Sequence, residues 1–117
     1  MVCHLNDSFR VALGEKYASP ADTMIFRTVG KWGALYVPIP WPRNVATRPE
    51  VDQKAGGTPP AEFEADRRVL TELIERFARV EGRPALGPHP LFGRMTEFQW
   101  QRWGYLHTDH HLRQFGA

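Results

Sequence analysis

Between Val37 and Pro60 the chain can run neither as a helix nor as an interior strand, and this stretch divides everything else. Pro38, Pro40, Pro42, Pro49, Pro59 and Pro60 each lack the N–H that both ladders need, and Gly56 and Gly57 add backbone freedom. A connection of this length without structure of its own is expected to be functional or disordered. This one carries Val37, Ile39, Trp41 and Val45, which point to a crossover strapped across the domain.

On either side the apolar pattern is helical. Val2, Leu5, Phe9, Ala12 and Leu13 keep helical spacing over residues 2–13, and Gly14 supplies the stop. No capping residue precedes Val2, so this helix is entered in mid-pattern and further sequence upstream is expected. A second start is read at Ser19-Pro20-Ala21-Asp22, with Ser19 as N-cap and Pro20 at the first helical position. Ile25, Val29, Trp32 and Tyr36 continue it as an apolar stripe. The third helix is expected from Thr58-Pro59-Pro60, Thr58 capping it and Glu62 and Glu64 lying near the positive end of its dipole. Its apolar face is Phe63, Val69, Leu70, Leu73, Ile74, Phe77 and Val80. After a loop over residues 81–95, rich in Gly and Pro, Thr96-Glu97-Phe98-Gln99 forms a capping box that opens a last helix from Thr96 to Phe115. The fold class is therefore all-α, with the whole chain, residues 1–117, in a single domain.

Charge and cysteine content narrow the function classes. The net charge is +2 with no basic run, so no nucleic-acid partner is indicated. No apolar run approaches the roughly 20 residues that span a bilayer, and the N-terminus has no signal pattern, so no membrane association is expected. Cys3 is the sole cysteine and cannot form an intramolecular disulfide. A cytoplasmic, reducing location fits.

Chemistry concentrates in the last helix. His107 and His111 lie one turn apart, a spacing at which both imidazoles can reach one ion. A helical wheel puts them on one arc with Trp100, Trp103, Gly104 and Gln114, with His110 on its flank. Gly104 removes bulk beside the pair and leaves room for a ligand. Catalytic zinc sites take three protein ligands and keep a position open. The third is expected from His4, on the face of the first helix beside Leu5 and Phe9, or else from His89 between two prolines. An HxxxH pair alone is a weak motif, and HExxH, phosphate-cradling loops and GxSxG elbows are absent from the sequence. Phe98, Tyr105 and Leu112 recur on the side opposite the histidines, where either the crossover covers them or a second subunit does.

Several segments together resemble the DinB superfamily, in its branch of small uncharacterised proteins. They are His89-Pro90-Leu91-Phe92-Gly93, the run from Leu106 to Gly116 with its HxxHH ending, Val2-Cys3-His4-Leu5, Pro40-Trp41-Pro42 and Gly56-Gly57-Thr58-Pro59. The resemblance implies an up-down four-helix bundle with a long crossover, of which this chain holds three helices and lacks the first. It also implies a divalent metal, Zn or Ni before Mn or Fe, held by His4, His107 and His111. Asp7, Trp103, His110 and Gln114 then line the site or orient its ligands. Relatives in that superfamily imply a metal-dependent enzyme, a thiol-dependent transferase or a hydrolase, acting on a small-molecule substrate with or without a thiol cofactor. A bundle short of one helix would expose apolar faces, so the chain is expected to be truncated, to have a wrongly assigned start, or to complete itself as a homodimer. The competing reading is a non-catalytic bundle that binds a small ligand or mediates dimerisation.

Overall fold

A computed structural model of the chain describes residues 1–21, 23–41, 48–79 and 87–116. Asp22, Pro42, Val45, Val80 and the first part of the 81–95 loop, all named above, lie outside the described residues. Among the described residues the protein is all-α. Its helices are α1 (Val2–Ala12), α2 (Lys31–Tyr36), α3 (Phe63–Ala78) and α4 (Glu97–Gln114), with a π-helical turn at Phe26–Gly30 and a 3-10 turn at Pro49–Val51. The only extended pairing among them is an isolated antiparallel bridge between His89 and Gly93. No helix among them is long and apolar enough to cross a membrane. The chain folds as two compact units, one from Met1–Ser19 and Thr47–Gly87, the other from Pro20–Ala46 and Pro88–Ala117.

In the first unit α1 packs on α3. Leu5, Phe9 and Ala12 are buried, as are Leu70, Leu73 and Phe77 at the i, i+3, i+7 spacing of α3, and the rings of Phe9 and Phe77 meet edge to face at 5.2 Å. Leu13 caps α1 and Gly14 follows at φ 77°, the left-handed position that a glycine fills without cost. Residues Leu5 to Phe9 are buried without a break, so α1 carries polar groups inside the protein. Asn6 Nδ2 donates to the Asp66 carbonyl at 3.1 Å and Ser8 Oγ to the His4 carbonyl at 2.8 Å.

The α3 cap differs from expectation. Glu62, not Thr58, is the N-cap, and its carboxylate accepts from the backbone N–H groups of Glu64 and Ala65. Pro59 and Pro60 hold the chain extended up to Glu62, which places Thr58 too far ahead of the first turn.

In the second unit the helical segment starts later than Ser19 suggests. Ser19 serves the first unit instead, its N–H donating to Glu50 and its hydroxyl accepting from Arg48. The expected stripe is also not a core face, because Ile25 is 66% and Val29 75% exposed and Trp32 is exposed as well. The π turn at Phe26–Gly30 widens the helix and shifts the phase of the residues after it. Leu35 becomes the buried residue of α2. This helix meets α4, where the Arg102 guanidinium donates to the Leu35 carbonyl and lies 5.5 Å from the centroid of the Tyr36 ring.

Val37 and Ile39 are exposed and do not join the core. Trp41 behaves differently, being partly buried with Nε1–H donating to the Ala34 carbonyl at 2.8 Å. The Thr96 capping box forms as expected: Thr96 Oγ accepts from Gln99 N–H, and Gln99 Oε1 accepts from Thr96 N–H. Gln99, Trp100, Trp103 and Gly104 are buried along one face of α4, while Phe98, Tyr105 and Leu112 stand exposed on the other.

Candidate metal centre

The α4 periodicity carries His107 and His111 to the same side as Trp103, whose ring centroid is 5.0 Å from that of His107. The two imidazoles converge, with Nε2 of His107 and Nε2 of His111 3.1 Å apart. Two nitrogens bound to one Zn²⁺ at about 2.0–2.1 Å are separated by about 3.0 Å at right angles and about 3.3 Å in a tetrahedron. The separation is that of a ring-to-ring hydrogen bond and also matches two ligands of one ion. The other nitrogen of His111, Nδ1, lies 3.2 Å from Gln114 Oε1. With the Gln114 oxygen accepting, the tautomer protonated at Nδ1 leaves the Nε2 that faces His107 as an acceptor.

His110 is not aligned with the pair. Its ring is edge-on to that of His111 at 5.2 Å and 5.8 Å from Trp41, whose indole also lies 6.1 Å from His107. Trp41 and Trp103 therefore form aromatic walls beside the histidines. Trp41 is not among the site residues expected from sequence; its one sequence signal is a tryptophan held between two prolines, in a segment where an apolar ring needs a partner.

His4 belongs to the first unit. Its Nδ1 lies 2.8 Å from the carbonyl of Val51, so this imidazole also holds its proton on Nδ1 and its lone pair on Nε2. Burial pushes its pKa below 6.5, only partly opposed by that hydrogen bond, and the ring is neutral at pH 7. A metal-ligating histidine typically donates its second ring N–H to a carbonyl or amide in this way. His4 and His111 are both so arranged.

His89, the other candidate for a third ligand, has a different task. Its Nδ1 accepts from the N–H groups of Leu91 (3.0 Å) and Phe92 (3.2 Å), and its ring packs on Phe92, Trp100 and Trp103. Burial lowers its pKa to about 3. This is a core histidine that closes the Pro88–Arg94 turn. Asp7 is buried at 0% exposure and binds Thr58, Gln53, Lys16 and Arg10. Burial alone would raise its carboxyl, but the Thr58 hydrogen bonds and the Lys16 ammonium outweigh it and hold the pKa below the ordinary carboxylate value. Cys3 is a buried free thiol whose pKa burial raises, with Asp66 adding to the rise, so it is inert as a nucleophile.

Fold and site together define an all-α protein with a convergent histidine pair on its last helix. The chain belongs to the family described as protein of unknown function (DUF1569), whose model matches residues 2–117. No curated protein and no solved structure matches it. The family match corrects the resemblance to the DinB superfamily, since the full-length match is to DUF1569 and no DinB family matches. The thiol chemistry that only this resemblance implied loses its basis.

Proposed function

We propose that the protein binds one divalent transition-metal ion through His4, His107 and His111, leaving at least one coordination position open. The observation that carries this reading is the 3.1 Å convergence of the His107 and His111 Nε2 atoms. His4 is prepared in the way a ligand would be, its Nδ1 donating to the Val51 carbonyl. The partners of the second ring nitrogens add support, because the Val51 carbonyl beside His4 Nδ1 and Gln114 Oε1 beside His111 Nδ1 are of the kind that orient ligating imidazoles. Imidazole donors without thiolate or carboxylate suit Zn²⁺ or Ni²⁺ better than Mg²⁺ or Ca²⁺.

When bound, such an ion supplies Lewis acidity, lowering the pKa of water or polarising a carbonyl or phosphoryl oxygen in the open position. The chain's own residues do the rest. His4, kept neutral by burial, needs no deprotonation to bind, Gln114 orients His111, and the partly buried Trp41 ring beside His107 offers flat apolar surface to a small substrate.

Metal analysis of untagged protein after exposure to Zn²⁺ and exhaustive dialysis tests the reading. One ion per chain is expected in the wild type and none in His111→Ala. A metal-free wild type, or a His111→Ala variant that retains the ion, would overturn it.

A further inference from the structure

The segment from Pro49 to Thr58, in the Pro- and Gly-rich crossover, is closed on itself and pinned at two points. Its 3-10 turn at Pro49–Val51 continues into bonds from Gly56 N–H to the Pro49 carbonyl and from Gly57 N–H to the Asp52 carbonyl, both 2.8 Å. A Cβ on Gly57 would lie 2.7 Å from the Asp52 carbonyl carbon and oxygen, so the turn has this compactness only with glycine there. Both pins are made by one carboxylate. Asp7 accepts from Gln53 Nε2 at 3.1 Å, from Thr58 N–H at 2.7 Å and from Thr58 Oγ1 at 2.7 Å.

Asp7 lies three residues after His4 on α1, and the turn that it pins returns the Val51 carbonyl to His4 Nδ1 at 2.8 Å. Val51 is itself buried, which fixes its carbonyl. The imidazole is thus held at both ends of one rigid circuit: by its own helix, and by a turn anchored to that helix one turn further on. We propose that Asp7 and Thr58 are positioning residues for His4. They lock the turn whose Val51 carbonyl sets the tautomer and ring orientation of the metal ligand. This rests on the assignment of His4 as a ligand, and it gives a fully buried carboxylate a role that contact with the ion does not require.

Because a carbonyl partner fixes which nitrogen of a ligating histidine is protonated, loss of such a partner typically weakens metal affinity 10–100-fold. Thr58→Ala removes the hydroxyl bond to Asp7 and keeps the backbone N–H bond, and Thr58→Ser restores the hydroxyl bond. The measurements are the His4 ring resonances of 15N-histidine-labelled full-length protein without metal, and Zn²⁺ affinity by competition titration, with thermal unfolding to show that each variant is folded. In Thr58→Ala we expect the His4 Nδ1–H signal to broaden or vanish and Zn²⁺ affinity to fall about tenfold, with both restored in Thr58→Ser. A folded Thr58→Ala with wild-type His4 signals, or with wild-type Zn²⁺ affinity, would overturn the positioning role and leave the metal site standing. A wild type without Zn²⁺ affinity would overturn the role as a metal device through the metal assignment itself, while the ring signals would still report whether Thr58 orders His4.

Discussion

His89 carries the sharpest pH signature of any single residue described. Its folded-state pKa of about 3 lies far below the ordinary 6.5, so on acidification the unfolded chain takes up a proton that the folded chain refuses. Its contribution to stability is complete above pH 6.5 and is lost as pH falls, at up to about 1.4 kcal/mol per pH unit until the folded-state value is reached. The depressed Asp7 carboxyl acts in the same direction, but only below its ordinary value of 3.8. Denaturant melts between pH 6.5 and 4 should therefore show a steep loss of stability. His89→Asn should flatten that slope by about one proton's worth, since an amide oxygen can still accept from Leu91 and Phe92 but takes up no proton in this range. An unchanged slope would show that His89 is not buried as a neutral ring.

Among the elements, α4 is held by chemistry written next to itself, and it is also the most legible in the sequence. Thr96→Ala removes the side-chain half of the capping box and should cost about 1 kcal/mol in chemical denaturation; a loss below a few tenths would mean that the cap contributes little. The same locality explains why the arc of Trp100, Trp103, Gly104, His107 and His111 could be drawn from spacing alone. What escaped the sequence depends on partners distant along the chain. Thr58 looks like a cap because caps are threonines before acidic turns, but its hydroxyl is taken by Asp7, 51 residues away. Ser19 is likewise taken by Arg48 and Glu50. The π turn at Phe26–Gly30 has no local marker beyond Gly30, and it turned an expected core stripe into exposed surface. Val51 and Trp41 sit in the Pro- and Gly-rich stretch, where no periodicity identifies an inward side chain.

If His4, His107 and His111 hold one ion as proposed, its binding should be linked to the folding of the chain. Free Zn²⁺ at 100 times its dissociation constant should raise stability by about 2.7 kcal/mol. Thermal unfolding with and without Zn²⁺ should show this shift in the wild type and lose most of it in His4→Ala as in His111→Ala. If His4→Ala kept the full shift, the ion would be held by the α4 pair without the first unit. The DUF1569 family match is compatible with either result, because it assigns no function.

The most direct test of the three-histidine site is X-ray absorption at the zinc edge on Zn²⁺-loaded, untagged full-length protein. Three imidazoles at about 2.0–2.1 Å, seen through their multiple-scattering pattern together with one or two further light atoms, are the expected result. A shell of light atoms without imidazole scattering, or one that His4→Ala leaves unchanged, would contradict it.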